Sequence, residues 1–179
     1  MSGARPLGLT PRRAAALAAA AGLVLGLAAP AGAQPVTVTI GPARLEHDPA
    51  WSGEPVAEGD APALVRRQGP AILTVTRTAA PNPAAWRPRT RDAYLAEVEA
   101  GLVAGATRLA SKRRALGQAG VPTLDLTLRR RGPDGAAEVV AVRVLLFRTM
   151  TIAAAAAAPD DRAGRRLVEG AVAGLTPVR

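Results

Sequence analysis

Three stretches of the chain alternate apolar and polar residues with the period of two that is typical of β-strands. Val36–Ile40 and Ala71–Arg77 are short, rich in β-branched residues, and each follows a proline. Val121–Arg131 is the clearest of the three, because its leucines fall on one face and polar side chains on the other. We therefore expect this strand to have one buried face and one solvated face.

The pattern after that strand predicts that the sheet continues. Gly132–Gly135 contains the residues of a tight hairpin turn, and Glu138–Met150 carries apolar residues on both faces, as a central strand does. Thr151–Ala158 contains six consecutive alanines, which favour a helix by intrinsic propensity. Because Pro159 ends that run after too few residues for a stable helix, a third antiparallel strand is predicted, with a helix as the alternative.

A long helix is predicted over Asp92–Ala110, where apolar residues recur at helical spacing. Thr90 is its candidate N-cap, and the basic residues at 112–114 would suit the negative end of the helix dipole. Gly101 and Gly105 weaken the helix and would permit close approach to a sheet.

A final helix is predicted after Asp160 or Asp161, either of which can cap it, with an apolar stripe over Leu167–Leu175. Ser52–Pro62 and Ala79–Pro88 lack periodicity and are predicted to be irregular connections. The order is strand, loop, strand, helix, three strands, helix. This order predicts the α+β class, with an antiparallel sheet and two main helices packed on it.

Over Val36–Leu175 the chain resembles the PsbP-like α/β/α sandwich. The resemblance rests on an early strand pair, a long central helix, a glycine-bounded meander of three strands and a terminal helix ending near Gly174. The sequence segments that support the resemblance are Ala71–Val75 and Arg148–Ile152. It implies an exported accessory or binding protein without enzymatic activity, and it assigns no functional residue to this chain.

Residues 1–33 have the layout of a cleaved signal peptide. Three arginines precede an apolar, uncharged run at 14–29, which is shorter and richer in Ala and Gly than the roughly 20 apolar residues of a membrane-spanning helix. Ala31 and Ala33 are the small residues that a signal peptidase reads, so cleavage would leave one globular domain, 34–179. We expect a bacterial periplasmic or secreted protein with no transmembrane segment after cleavage. The Sec route is favoured, and the twin-arginine route is the alternative.

Composition excludes several function classes. The chain has 23 Lys plus Arg against 14 Asp plus Glu, a net charge of +9, and 49% apolar residues, enough for a globular core. The absence of Cys excludes disulfides and thiolate metal sites. One His and 2% aromatic residues leave few side chains for catalysis or for stacking on bases. No glycine-rich phosphate loop opens a helix, so we predict no nucleotide cofactor and no other cofactor. Nucleic acid would fit the charge, but export and the shortage of stacking aromatic residues conflict with it, so we predict no nucleic-acid partner.

His47 is the only imidazole, and it stands between Glu46 and Asp48. A metal ligand, or a general base held by a carboxylate, is one hypothesis, but a stable metal site needs further ligands for which no Cys or second His exists. The favoured interpretation is a solvated residue at a strand end. Ser52 and Ser111 lack the sequence surroundings of a nucleophile. We therefore predict no catalytic residue and no metal site.

Asp125 and Glu138 are candidates for a hydrolytic carboxylate pair, because a hairpin would bring their strands together. Arg129–Arg131 lie nearby and can pair with both carboxylates, so surface ion pairing is the simpler interpretation. An enzyme with an unrecognised carboxylate site remains a third hypothesis for function.

The basic residues suggest an anionic partner outside the cytoplasm, because a basic surface speeds encounter with acidic molecules. The candidate surface comprises Arg113, Arg114, Arg129, Arg130 and Arg131. Two functions stay open: an accessory or binding protein that meets an envelope protein or other ligand, and a peripheral protein that binds anionic lipid through this surface.

Trp51 and Trp86 lie in loop-like sequence. We expect both to be buried anchors that hold the loops on the sheet, because few other large side chains are available to fill an alanine-rich core. The alternative is that they are exposed and mark a binding surface.

Overall fold

The computed structural model describes residues 34–53, 64–79 and 87–178. Within these ranges the strands form two antiparallel sheets, a small one in the order β1-β2-β9 and a large one in the order β3-β4-β8-β7-β6-β5. The α+β class and the two helices on an antiparallel sheet are confirmed. In chain order the elements are β1 (Val36–Ile40), β2 (Ala43–His47), β3 (Leu64–Gln68), β4 (Ala71–Ala79), α1 (Pro88–Val103), β5 (Thr107–Leu116), β6 (Val121–Arg131), β7 (Ala137–Leu146), β8 (Met150–Pro159), α2 (Arg162–Ala173) and β9 (Leu175–Pro177).

The large sheet is covered on both faces, which explains why β7 is apolar on both sides. On one face, which we call the α2 face, Val139 and Leu145 share a core with Val168 of α2 and with the small sheet. On the other, the α1 face, Val142 packs in a second core with Leu95 of α1. The predicted central strand is therefore confirmed, because each face buries its own set of apolar side chains. It ends at Leu146, however, and Met150, the predicted end, begins the next strand.

The alanine run forms the strand β8, as predicted, and not a helix. Ala154 pairs with Val75 of β4 and with Arg143 of β7, so strand neighbours on both sides satisfy its backbone. Gly164 of α2 lies close to the end of β8, since a Cβ atom there would collide with the carbonyl of Pro159 and lie 3.3 Å from the Cβ atom of Ala158. Tertiary pairing thus overrides the helix propensity of alanine.

The prediction of a helix over Asp92–Ala110 is wrong at both ends. The helix α1 begins at Pro88 with Arg87 as its N-cap, in place of Thr90, and it ends at Val103. Gly105 takes a φ of 77°, a left-handed conformation that turns the chain out of the helix.

The residues after this turn form β5, which pairs antiparallel with β6. The basic residues at 112–114 therefore lie on a strand and do not end a helix. Gly101 is exposed, and no atom approaches the position where its Cβ would be, so the expected close approach to a sheet is also wrong.

The boundaries of β6 match the prediction, but the expectation of a solvated face is wrong. Leu126 faces α1 and is buried as predicted, while Thr123 is fully buried on the opposite face and Thr127 is only 9% exposed. Thr127 lies 3.5 Å from the carboxylate of Glu169, a residue of α2. Thr123 and Thr127 are therefore buried on the face that was expected to be solvated, and only the arginines at the end of that face are exposed.

The small sheet closes over the end of α2. Leu45 of β2 pairs with Leu175 of β9, and a Cβ atom on Gly174 would collide with the carbonyl of Glu46. Strands β3 and β9 were not predicted, whereas the predicted cap of α2 is confirmed, because Asp161 accepts a hydrogen bond from the Gly164 amide at 2.7 Å. The predicted signal peptide, most of the two irregular connections and Trp86 lie outside the described residues.

Candidate functional site

The helix α1 is anchored to the large sheet by Glu99 and Leu95, its two buried residues. The Glu99 carboxylate accepts hydrogen bonds from Arg113 at 2.7 Å and from Arg108 at 3.1 Å, both on β5. The hydrogen bond from Arg113, followed by one from Ser111, holds the pKa of Glu99 below its ordinary value, against the opposing effect of burial. One side of α1 is thus tied to the sheet by charge.

Over β4, β8 and β7, α1 leaves a groove of about 230 Å³ between the helix and the sheet. Small side chains form much of its floor, because the residues of β4 that face α1 are threonines and those of β8 are one threonine and alanines. Three side chains of α1 form its wall at spacings of four residues. The lining consists of Thr74, Thr76, Thr78, Tyr94, Val98, Leu102, Val142, Val144, Thr151, Ala153 and Ala155.

The lining of the groove is apolar with a few hydroxyl groups, which is the composition of a ligand pocket. The Tyr94 hydroxyl lies 3.4 Å from the Thr151 hydroxyl and ties the first half of α1 to the start of β8. No carboxylate, imidazole or amine is among the described residues that line it. The groove can therefore hold an apolar group, and the Tyr94 hydroxyl is the one titratable side chain among the described residues that line it.

His47 is not a solvated residue at a strand end, and that expectation is wrong. It is only 5% exposed, because the end of β2 packs beneath α2. Its Nδ1 lies 2.9 Å from the carbonyl oxygen of Asp48, so Nδ1 carries the proton and donates. Its Nε2 is buried and has no hydrogen-bond partner among the described residues.

A recess of about 310 Å³ lies beside His47, lined in part by Trp51, Arg166 and Leu167. Trp51 is buried in the core, as predicted. Ser52 and Ser111 make no hydrogen bond to His47 anywhere in the described ranges. Across the same ranges, no three His, Asp or Glu side chains are arranged to hold a metal ion.

The surface predicted for an anionic partner is partly neutralised by the chain's own carboxylates. Four of its five arginines form ion pairs, while Arg131 donates to the carbonyl of Gly135. The pairs are Arg113 with Glu99, Arg114 with Asp125, Arg129 with Asp160 and Arg130 with Glu138. Exposed ion pairs add little stability. Three of the four carboxylates are also shared with a second arginine, namely Arg108, Arg143 or Arg165, so they do not cancel one charge for each arginine.

The candidate carboxylate pair does not share a cleft. Asp125 lies on the α2 face, between Arg143 at 2.6 Å and Arg114 at 2.8 Å. Glu138 pairs with Arg130, as predicted, on the other face of the sheet. The expected pairing of Asp125 with Arg129–Arg131 is wrong. Arg143 lies directly opposite Asp125 on the neighbouring strand β7 and forms the ion pair instead.

Four arginines at the start of α1 and in the β7–β8 turn make no ion pair with a described residue. They are Arg87, Arg89, Arg91 and Arg148. The contact of Tyr94 with Thr151 and the pairing of Ala79 with Met150 bring the start of α1, the end of β4 and the β7–β8 turn to the same end of the molecule. These free charges therefore lie at one end of the groove, where the sequence pattern alone did not place them.

With two helices on opposite faces of an antiparallel sheet, the chain has a PsbP-like fold, as comparison with a known structure shows. The chain is similar to the solution structure of cyanobacterial PsbP (CyanoP) from Synechocystis sp. PCC 6803, with a TM-score of 0.53 and 14% identity over 87% of this chain and 99% of that one. The resemblance seen in the sequence is confirmed at the level of the fold.

A second solved structure, the protein of unknown function PA94 from Pseudomonas aeruginosa, matches with a TM-score of 0.39 and 13% identity over 72% of this chain and 85% of that one. No family model and no curated protein matches the chain. Within the described ranges, neither helix has the length and apolar character needed to cross a bilayer.

Proposed function

We propose that this chain is a non-catalytic accessory or binding protein of the bacterial cell envelope, and that the groove under α1 is its ligand site. The observation that carries the proposal is the groove itself, which is apolar and lined with hydroxyls, with no carboxylate, imidazole or amine among the described residues that line it. The PsbP-like fold and the signal-peptide layout of residues 1–33 are consistent with it. Attachment to anionic lipid through Arg113, Arg114 and Arg129–Arg131 is disfavoured, because carboxylates already pair with most of them.

A groove-filling variant tests the ligand site. Ala155 lies on the floor of the groove, between Thr74 and Val142 in the ladder. We expect Ala155→Leu to fill the groove and to weaken binding of the neutral apolar dye N-phenyl-1-naphthylamine at least tenfold, measured by fluorescence titration. Ala157→Leu is the matched control, because Ala157 lies on the same strand and the same face but outside the groove lining. Equal binding by wild type and Ala155→Leu would refute the site.

Export is tested separately by the mature N-terminus. When the full chain is produced in a bacterium, we expect N-terminal sequencing of the periplasmic fraction to begin at Gln34 or within one or two residues of it, because Ala31 and Ala33 fit the specificity of signal peptidase. Recovery of the intact chain from the cytoplasm as the stable form would contradict this part of the proposal.

A further inference from the structure

We infer that the groove takes a single-chain anionic amphiphile, such as a fatty carboxylate, with its chain under α1 and its headgroup at the arginines that begin α1. This inference rests on the proposed function of the groove and adds the chemical class of the ligand. It follows from three observations: the position of the arginines, their lack of acidic partners, and the size of the groove.

Arg91 continues the stripe of α1 that lines the groove. The lining residues Tyr94, Val98 and Leu102 are four residues apart along the helix, and Arg91 precedes Tyr94 by three. Residues at these spacings lie on one face of a helix. Arg91 is half-buried, which fits a position at the edge of the groove rather than on the solvent side of α1. Arg148 approaches the same end from the turn before β8.

The charges at this end have no acidic partners in the described part of the chain. Arg113 and Arg130 each contact a carboxylate, whereas Arg87, Arg91 and Arg148 form no ion pair with a described residue. The acidic residues of α1 other than Glu99 are exposed and make no ion pair there either. A guanidinium group binds a carboxylate through two parallel hydrogen bonds, so a ligand carboxylate complements this end of the groove.

The size of the groove limits the ligand to one chain of moderate length. The α1 wall from Tyr94 to Leu102 is about 12 Å long at the rise of an α-helix. The volume of 230 Å³ lies below the range of pockets that enclose drug-sized ligands, about 300 to 1,000 Å³. One extended chain fits these dimensions, and a phospholipid with two chains does not.

Calorimetric titration with three ligands of equal chain length tests the inference: decanoate, decanol and decyltrimethylammonium. With the purified exported protein at low salt, we expect decanoate to bind at least tenfold more tightly than decanol, and the cation to bind most weakly. Arg91→Gln should weaken decanoate binding about tenfold and leave decanol unchanged. Arg162→Gln is the matched control, because Arg162 is exposed at the start of α2, on the opposite face of the sheet.

Each other outcome overturns a defined part of the reasoning. Equal affinity for decanoate and decanol, with both lost in Ala155→Leu, would refute the anionic headgroup and leave the groove as a ligand site. Decanoate binding that survives Ala155→Leu but falls with Arg91→Gln would place the ligand on the surface and refute the inference. The protein should also be sedimented with phosphatidylglycerol vesicles. An affinity for the vesicles equal to that for decanoate, and unchanged in Ala155→Leu, would show that the ligand is a membrane surface and refute the inference. Failure of all three ligands and of N-phenyl-1-naphthylamine would refute the proposed function itself.

Discussion

Arg143 should contribute more to stability than any charge on the surface of this protein. Its side chain is only 8% exposed, on the α2 face of β7. It donates to Asp125 at 2.6 Å, to the carbonyl of Ala173 at 2.6 Å and to the carbonyl of Leu175 at 3.3 Å. The two carbonyls lie where α2 ends and β9 begins, and carbonyls at a helix end have no partner within the helix. One guanidinium therefore joins the large sheet, α2 and the small sheet.

Arg143→Met removes these donors and retains much of the side-chain volume. Asp125 keeps its contact with Arg114 at 2.8 Å, so the loss falls mainly on the two carbonyls. An unpaired buried acceptor costs about 1–3 kcal/mol, and breaking a buried ion pair adds to this, so we expect a loss of about 3–5 kcal/mol. That is a large share of the free energy of unfolding of a typical domain, about 5–15 kcal/mol. Arg143→Lys keeps the charge but lacks the planar fork, and it should lose about half as much.

Urea unfolding followed by far-UV circular dichroism measures both variants. A loss below about 1 kcal/mol for Arg143→Met, or an Arg143→Lys variant as stable as the wild type, would refute the reasoning. A double-mutant cycle with Asp125→Asn separates the contributions. If the carbonyls dominate, the coupling energy of the two side chains should be the smaller part of the total cost of Arg143→Met.

Three further predictions follow from the described contacts. Leu126→Asp places a charge at a position that is only 2% exposed, so it should lower the free energy of unfolding by several kcal/mol. Ala110→Asp, on the exposed strand β5, should leave Tm nearly unchanged. Equal losses of Tm in the two variants would contradict the burial assigned to these positions. The pKa of Glu99 is lower in the folded chain than its value near 4.5 in the unfolded chain. The Glu99 carboxylate therefore stabilises the fold above about pH 4.5, and this stabilisation is lost as the pH falls through the folded pKa. Urea unfolding between about pH 6 and pH 3 should show this additional loss of stability in the wild type and not in Glu99→Gln. His47→Asn keeps a hydrogen-bond donor for the Asp48 carbonyl and removes the unpartnered Nε2. Its free energy of unfolding should stay within about 1 kcal/mol of the wild-type value, and that of His47→Ala should fall further. A His47→Ala variant more stable than His47→Asn would refute the assigned hydrogen bond.

The elements that sequence predicted well are those whose own residues carry a repeating apolar pattern or a cap. The strand β6 has leucines at every second position of one face, and α2 has Asp161 to accept its first amides. By contrast, nine of the ten residues of β5 are exposed, so no apolar face marks it as a strand. It is a strand because β6 supplies its hydrogen bonds, and apolar residues such as Leu109 continue the helical spacing of α1 past Gly105. A local pattern cannot report a partner that comes from another part of the chain.

The candidate groove could not be predicted for the same reason. Thr74, Val142, Ala153 and Tyr94 are far apart in sequence and meet only because β4 pairs with β8 and α1 crosses the sheet above them. The one local clue is the alternation of small or hydroxylated side chains in β4 and β8, which leaves space on the α1 face. The burial of His47 likewise depends on α2, which begins more than a hundred residues later.

The alanine strand β8 has a consequence for the order in which this protein folds. Its neighbour β7 comes shortly before it in sequence, but its other neighbour, β4, lies on the far side of α1, β5, β6 and β7. Closing so long a loop costs conformational entropy before any contact compensates for it, and contacts of this kind slow folding. Because the run Ala153–Ala158 is too short for a stable helix, only its pairing with β7 holds it extended until β4 pairs with it. The pairing of β8 with β4 should therefore be the slow step of folding.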